Sequence, residues 1–229
     1  HIRSRMISLG CPEQKATKHP IGVDLTKFDH ETKRYHEDRP LRLVTVARLT
    51  EKKGLRYAIN AIADCIQDGI DLRYRLGGDG ELRTTLEQQV RDRGIQQSVT
   101  FEGWLTQAEV DEILAWGDVF LLPSITAQDG DMEGQALVIQ EAQAKGLPVI
   151  STYHDGIPEG VLEGKTAKLV PERSVKGLVS GIKHFIGGDQ LEKYSSYAER
   201  FIRKNFDNRH LLDRQVEIYR NLRAREVDF

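Results

Sequence analysis

Two carboxylates and two cations are the residues of this chain whose types and spacing suggest chemistry. Glu133 stands directly before Gly134, and Glu141 follows eight positions later in a helical pattern that stops at Gly146 and Pro148. A helix that begins after a glycine presents free N–H groups and a positive dipole end to an anion. If the whole segment is helical, the two carboxylates lie on the order of 12 Å apart along the axis and contact different parts of one long ligand.

The two cations lie where a diphosphate would need them. Arg48 ends the first predicted strand, and Lys53 precedes Gly54 at the start of the next predicted helix. A guanidinium can bind two oxygens at once and an ammonium acts as a point charge, so the pair predicts a diphosphate site beside a helix N-terminus. Solvated loop cations are the alternative interpretation, and for the neighbouring Lys52 it is the better one.

The composition indicates a folded protein and excludes several classes. Of 229 residues, 39% are hydrophobic and 30% are charged, which is enough to bury a core. The 33 basic and 35 acidic residues give no overall charge that favours nucleic acid as a partner. No apolar run is long enough to span a membrane, and Cys11 and Cys65 lack metal-ligand spacing, so we expect free thiols and a cytoplasmic location. The first residue is His1 and not Met, which suggests either an excised piece of a longer protein or the remnant of a tag.

Strands and helices alternate from residue 41 onward. Apolar runs predict strands over 41–47, 72–76, 99–101, 119–122 and 149–151, with helices over 54–67, 81–92 and 107–116 between them. Three further helices are predicted over 175–186, 190–206 and 208–222. This alternation predicts an α/β fold with a doubly wound parallel sheet, in which ligands bind at the carboxyl ends of the strands. The residues named above lie at those ends.

The order of these residues resembles the signature of a known family. The resemblance is to the retaining GT-B glycosyltransferases of family 4, and it is carried by Glu133-Gly134, Glu141-Ala142, Gly146-x-Pro148 and Gly156-x-Pro158-Glu159. Pro123-Ser124 and the run over 125–132 make it closest to the colanic-acid and amylovoran type of exopolysaccharide glycosyltransferase. It extends over nearly the whole chain and implies the Rossmann-like, donor-binding C-terminal half of a GT-B fold.

The resemblance also implies roles for individual residues. Arg48 and Lys53 would stabilise the departing diphosphate, and Glu133 would face the hydroxyls of the transferred sugar; these three are the implied catalytic residues. Glu141 would bind the ribose hydroxyls. The remaining implied substrate-binding residues are Gly134 with the N–H groups of Gln135 and Ala136 near the sugar phosphate, Gly78 in a turn that lines the donor cleft, and Gly103 in a loop beside the nucleobase.

Three features near this site have competing interpretations. Gly77-Gly78-Asp79-Gly80 is an incomplete dinucleotide fingerprint, so a plain tight turn competes with the donor cleft and a nicotinamide site is a distant third. Trp104 could stack on a base, although a buried structural tryptophan is the favoured prediction. His154 follows the fifth strand and could contact the donor, with a structural histidine as the alternative.

Two departures concern the donor and a metal. Many family members have a glycine two positions after the first glutamate, whereas this chain has Gln135-Ala136. The Cβ atoms of these two residues narrow the space through which the sugar approaches, so the identity of the donor stays open. Asp129-Gly130-Asp131 mimics a metal-binding Asp-x-Asp, but we predict a solvated acidic loop and no cofactor or metal, because GT-B enzymes handle the diphosphate with cations and helix dipoles.

The expected organisation has three parts: an interdomain linker and domain entry over 1–39, the nucleotide-sugar-binding domain over 40–206, and a C-terminal helix over 207–229. That helix either braces a missing N-terminal domain, which leaves its apolar face uncovered here, or packs on this domain's own sheet; the face consists of Leu211, Leu212, Val216, Tyr219 and Leu222.

We expect this chain to bind nucleotide weakly and to transfer no sugar on its own, because the acceptor, a saccharide or a lipid-linked saccharide, would bind the missing domain. If the acceptor is lipid-linked, we expect the protein to lie at the inner face of a membrane. A non-catalytic nucleotide-binding or scaffolding module and a sugar-phosphate synthase are the rival functions.

Overall fold

Six parallel strands form one sheet at the centre of the chain. The structure is a computed structural model that describes residues 2–226. The strands are β1 (Leu41–Val46), β2 (Leu72–Gly77), β3 (Val99–Gly103), β4 (Val119–Leu122), β5 (Val149–Thr152) and β6 (Ala167–Val170). They lie in the order β3-β2-β1-β4-β5-β6, and all neighbours are parallel. The predicted doubly wound parallel sheet is therefore confirmed.

The sixth strand was not predicted from the sequence. It is a run of four residues, too short to give a periodic pattern, and no predicted helix separates it from β5. It forms because β5 offers a free edge, with Val149 opposite Ala167 and Thr152 opposite Val170. The pairing partner, and not the local sequence, makes this segment a strand.

Helices connect the strands and extend beyond the last of them. Their bounds are α1 (Ile2–Ser8), α2 (Leu55–Gln67), α3 (Arg83–Asp92), α4 (Gln107–Trp116), α5 (Leu137–Ala144), α6 (Val175–Lys183), α7 (Gln190–Asn205) and α8 (Asn208–Glu226). Local signals set several ends: Thr106 and Glu109 form a capping box on α4, and the Ser174 hydroxyl caps α6. Gly146 lies just past α5 in the left-handed region, as its predicted role as a helix stop requires.

Alternation along the central strands divides the core between the two faces of the sheet. In β1, Leu43 joins a cluster with α2, α3 and α6, whereas Val44 joins a second cluster with α4 and α5. Val119 and Phe120 of β4 divide in the same way. Successive side chains of a strand point to opposite faces, so both faces of the sheet are covered by helices.

The strand order reverses between β1 and β4, and this creates a crevice. Chains that leave the carboxyl ends of these two strands diverge to opposite sides, which is where ligands of such sheets bind. Gly54 makes the crevice tight: its φ is 64°, and a Cβ there would lie 1.9 Å from the Pro123 carbonyl oxygen. Only glycine fits there, so the loop after β1 lies directly against the loop after β4.

The last helix presents an apolar stripe to solvent. Leu211 is buried, but Leu212, Val216, Tyr219 and Leu222 of α8 are between 46% and 62% exposed. The prediction that the apolar face packs on the domain's own sheet is therefore wrong for four of its five residues, and Leu211 is the buried one. Within residues 2–226, no helix has both the length and the apolar character that crossing a lipid bilayer requires.

Candidate functional site

The loops after β1 and β4 are joined by several contacts at the crevice. The Ile125 N–H donates to the Lys52 carbonyl oxygen at 2.8 Å, and the Gln128 N–H donates to the Glu51 carboxylate at 3.1 Å. A turn of 3₁₀ helix over Glu51–Lys53 holds the first loop in place before α2 begins. The side chains of these two loops are consequently fixed relative to one another.

Lys53 and Glu133 form an ion pair across this crevice. The Lys53 ammonium donates to Glu133 Oε2, and their side chains are only 11% and 13% exposed. The two residues are 80 positions apart in the sequence, so the strand order alone brings them together. A pair with so little solvent is weakly screened, and removing one partner leaves a costly uncompensated charge.

The neighbouring lysine makes a different kind of contact. Lys52 contacts Asp131 at 3.0 Å, but the Asp131 side chain is 56% exposed. Asp129 and Gly130 are exposed as well, in agreement with the predicted acidic surface loop. In the part of the chain that the structure describes, no group of three or more His, Cys, Asp or Glu side chains could hold a metal ion.

Arg48 is the uncommitted cation of the site. It is exposed two residues after β1, and its guanidinium has no hydrogen bond or ion pair with the described residues. Its charge still reaches Asp131, whose carboxyl pKa is lowered by the Lys52 hydrogen bond and, more weakly, by Arg48. A free guanidinium beside a lysine that already has a partner leaves donors available for an anion.

The segment around Glu133 is irregular and not helical. Helix α5 begins at Leu137, and Ala136 precedes it in the left-handed region with φ 49°. The predicted helix start near Gly134 is wrong, and the 12 Å spacing along a helix axis does not apply, since Glu133 lies in the loop. A non-glycine residue in this conformation is strained, and the strain is held by the packing of Ala136 against the core.

The side chains of the Gln135-Ala136 pair are both engaged away from Gly134. Gln135 Oε1 accepts from the Ile21 N–H at 2.7 Å, while its amide nitrogen donates to the Ile21 carbonyl oxygen. Ala136 is 7% exposed within the core. Nothing lies within 4 Å of the position where a Gly134 Cβ would stand, so the backbone there is open to a ligand.

Glu141 lies inside α5 in an environment unlike that of Glu133. It is half-buried, and no hydrogen bond or ion pair joins its carboxylate to the described residues. Burial raises the pKa of Glu141 above its ordinary value, with no opposing contact. A half-buried carboxylate without a partner can accept hydrogen bonds from a ligand.

The two remaining predicted glycines meet at the carboxyl ends of β2 and β3. The Gly78 N–H donates to the Gly103 carbonyl oxygen at 2.7 Å. Gly78 has φ 121°, and a Cβ there would lie 1.9 Å from the Ala47 carbonyl oxygen, so it permits the close approach of the β1 loop. The prediction that Trp104 is buried is wrong, because its side chain, next to Gly103, is 78% exposed.

His154 and Glu172 belong to the site as well, and only His154 was noticed in the sequence. His154 is 1% exposed; its Nε2 accepts from the Glu133 N–H at 2.9 Å, and its Nδ1 lies 2.6 Å from Glu172 Oε1. Glu172 follows β6, the strand that the sequence did not predict. Recognising that strand would have placed Glu172 at the carboxyl edge of the sheet next to His154.

A cavity of about 590 Å³ is lined in part by Gly134 and Gln135, two of the predicted substrate-binding residues. Its walls come mainly from the N-terminal segment, α7 and α8, and include Lys15, Lys18 and Phe206. None of Arg48, Lys53 and Glu133 lines it. We place the candidate site at the crevice and not in this cavity, because the convergent charged groups lie at the strand ends.

Comparisons with known proteins show which family this sequence resembles. A family model described as glycosyl transferases group 1 matches residues 40–187, which contain every site residue named above. The chain is 39% identical over 214 residues to WcaL of Salmonella typhimurium, a protein named for a glycosyltransferase role in colanic acid biosynthesis. It is 36% identical to the amylovoran biosynthesis glycosyltransferase AmsK of Erwinia amylovora. Both alignments cover 93% of this chain and 52% of the relative, so the chain spans about half of their length.

A solved structure shares the fold. The Anabaena protein HepE, determined in complex with UDP and glucose, superposes with a TM-score of 0.79 at 21% identity. The match covers 95% of this chain and 60% of HepE. At this identity the likeness shows the fold alone, and it is the fold of the GT-B glycosyltransferases.

Proposed function

The chain belongs to the glycosyl transferases group 1 family, and we propose that it is the donor-binding half of a retaining glycosyltransferase. The donor would be a nucleotide-diphosphate sugar. The acceptor would be a saccharide or a lipid-linked saccharide of exopolysaccharide biosynthesis, in line with the names of the relatives WcaL and AmsK. A lipid-linked acceptor would bring the protein to the inner face of a membrane.

The observation that carries this proposal is the pairing of Lys53 with Glu133 at the strand-order reversal, with the free cation Arg48 beside it. An ammonium has three N–H donors, so Lys53 can serve Glu133 and still donate to a phosphate oxygen. Arg48 can add two parallel hydrogen bonds to the same diphosphate. The crevice therefore offers preorganised positive charge where a departing diphosphate develops negative charge, a contribution of about 3 kcal/mol or more per donor in other enzymes.

The two glutamates would divide the rest of the donor between them. Glu133 points its carboxylate into the crevice next to Lys53, a position from which it can accept from sugar hydroxyls. Glu141 has no partner among the described residues and is available to two vicinal ribose hydroxyls. The open backbone at Gly134 would admit the sugar between them.

Groups that close over the sugar and bind the acceptor would lie in the half of the relatives that this chain does not align with. The exposed stripe on α8 would then brace that missing domain. We keep the division into a linker over 1–39, a donor domain over 40–206 and a bracing helix over 207–229. On its own, this chain would bind nucleotide without transferring sugar.

Isothermal titration of the 229-residue protein with UDP, GDP and ADP tests the donor site. We expect one of the three diphosphates to bind. Arg48→Ala should weaken the affinity for it about tenfold, since a hydrogen bond to a charged group contributes about 1.5 kcal/mol. Arg91→Ala, which removes an exposed arginine of α3, is the matched control. EDTA should leave the affinity unchanged, because we propose that cations alone balance the diphosphate.

Three results would overturn the proposal. The first is a folded protein that binds none of the three diphosphates, and the second is equal affinity for the Arg48→Ala and Arg91→Ala variants. The third is sugar transfer by the isolated chain, which would contradict the assignment of acceptor groups to another domain. Loss of binding in EDTA would overturn the metal independence only.

A further inference from the structure

His154 occupies a position that the proposed chemistry does not use. It follows β5, is 1% exposed, and so cannot reach a ligand in the crevice with its own ring. Both ring nitrogens are nevertheless occupied, one by the Glu133 backbone and one by the Glu172 carboxylate. Its contacts connect a catalytic candidate to a residue beyond β6.

The contacts assign the proton on the ring. A backbone N–H can only donate, so the Nε2 that faces Glu133 must carry a lone pair. The Nδ1 atom then carries the proton and donates to Glu172 Oε1 at 2.6 Å. His154 is therefore a neutral imidazole of one defined tautomer, fixed at both ends.

Glu172 is itself held in place, so it can anchor the ring. Its Oε2 accepts from the Thr126 N–H at 3.0 Å and from the Arg173 guanidinium at 3.1 Å. Burial alone would raise the pKa of Glu172, but the hydrogen bonds from His154 and Thr126 lower it, and the group stays a carboxylate. The anchor is thus a charged acceptor bonded to the loop after β4.

These bonds form one continuous connection. It runs from Glu172 after β6 through His154 after β5 to the backbone of Glu133, whose carboxylate then contacts Lys53 after β1. Glu133 itself lies in the loop after β4, so the connection links the carboxyl ends of four strands, β1, β4, β5 and β6. The loop over 133–135 has no helix or strand of its own, so it is held by its side-chain contacts, and the bond to His154 is the one that holds the Glu133 backbone N–H.

We propose that His154 is a positioning residue for the donor sugar, and that Glu172 holds it in the tautomer this role requires. The inference rests on the proposed function, since it assumes that Glu133 faces the sugar. His154 would act through Glu133 only. Its loss should therefore weaken the binding of a nucleotide sugar more than the binding of the bare nucleotide, which reaches Arg48 and Glu141.

Two amide variants separate the two bonds of the ring. In His154→Gln the side-chain amide reaches the place of Nε2, where its oxygen can accept from the Glu133 N–H. In His154→Asn the shorter amide reaches the place of Nδ1, where it can donate to Glu172 but leaves the Glu133 N–H without an acceptor. Each variant keeps one bond, so a purely structural role predicts similar losses of stability and no difference in ligand binding.

The titration uses UDP and UDP-glucose as probes, or GDP and GDP-mannose where GDP is the diphosphate that binds. We expect His154→Asn to reduce the advantage of the nucleotide sugar over the nucleotide about tenfold, the equivalent of one hydrogen bond of about 1.4 kcal/mol. His154→Gln should retain that advantage within about threefold. Equal losses in the two variants, or a loss confined to stability, would overturn the proposal.

A second measurement needs no ligand and no variant that must fold. Amide hydrogen exchange of the wild-type protein should show the Glu133 N–H protected, although it lies in an irregular loop, and ¹⁵N spectra should show an unprotonated Nε2 on His154. A freely exchanging Glu133 amide would refute the connection even if nucleotide binds. A protected amide in a protein that binds no nucleotide would instead refute the proposed function and leave the connection standing.

Discussion

Glu133 and Glu141 stand eight positions apart and have opposite environments. Glu133 is in a loop, with its carboxylate against Lys53 and its backbone N–H against His154. Glu141 is in α5, half-buried, with burial raising its pKa and no partner from the described residues. One carboxylate is compensated before any ligand arrives, and the other is not.

The difference separates two ways in which a protein prepares a site. A charge that already has a partner is held in position, so it can meet a ligand without reorganisation. A half-buried charge without a partner lowers the stability of the empty protein and gains hydrogen bonds only when a ligand supplies them. By this comparison Glu133 is part of the built frame of the crevice, and Glu141 is the position that we propose a ligand completes.

The largest expected effect is the loss of the partner of Glu133. Lys53→Ala should lower the free energy of unfolding by about 3 kcal/mol, because it leaves a largely buried carboxylate uncompensated. Lys52→Ala is the matched control: its partner Asp131 is 56% exposed, and such a pair contributes less than about 1 kcal/mol. Urea denaturation of both variants measures the contrast. Equal losses in the free energy of unfolding would mean that the ion pair of Glu133 contributes no more to stability than that of Asp131.

A smaller effect is expected at Glu141, and on binding instead of stability. Glu141→Gln should weaken the affinity for the nucleoside diphosphate about tenfold, because a charged hydrogen-bond acceptor becomes a neutral one. Glu112→Gln, at an exposed position of α4, should change nothing.

Deoxynucleotides make this test specific for the ribose. The wild-type protein should bind UDP more tightly than its 2′-deoxy analogue, or GDP more tightly than dGDP, and Glu141→Gln should lose most of that preference. A variant that loses affinity but keeps the full preference for ribose would show that Glu141 contacts another part of the ligand.

The smallest expected effect is a pH dependence of stability that Glu141 has and its amide lacks. Burial raises the folded-state pKa of Glu141 above its ordinary value of 4.5, so the folded protein holds this proton more tightly than the unfolded chain does. The ionised form therefore opposes folding at neutral pH, and the opposition disappears as pH falls through the raised pKa toward 4.5.

Urea denaturation across pH measures this dependence. Glu141→Gln should be more stable than the wild-type protein at neutral pH, and its advantage should shrink as the solution is acidified. An advantage of Glu141→Gln that stays constant from neutral to acidic pH would show that Glu141 is not a destabilising charge.

The sequence by itself determined the sheet class, five of the six strands and the edge of the sheet at which the candidate residues lie. Apolar runs alternating with helical periods are local patterns, and Arg48, Lys53 and Glu133 follow strands in those patterns. The positions of Gly78 and Gly103 at neighbouring strand ends were predictable for the same reason. The order of motifs also identified the family, since it depends only on residue types and spacing.

Only the tertiary structure decided which of these residues meet. The ion pair of Lys53 with Glu133 depends on β1 lying next to β4, and the anchoring of His154 depends on β6, a strand stabilised by its neighbour and not by its own four residues. Trp104 is exposed where burial was predicted, because burial depends on what packs opposite a side chain. Local periodicity records contacts along the chain, whereas pairing, burial and uncompensated charge arise between segments that folding brings together.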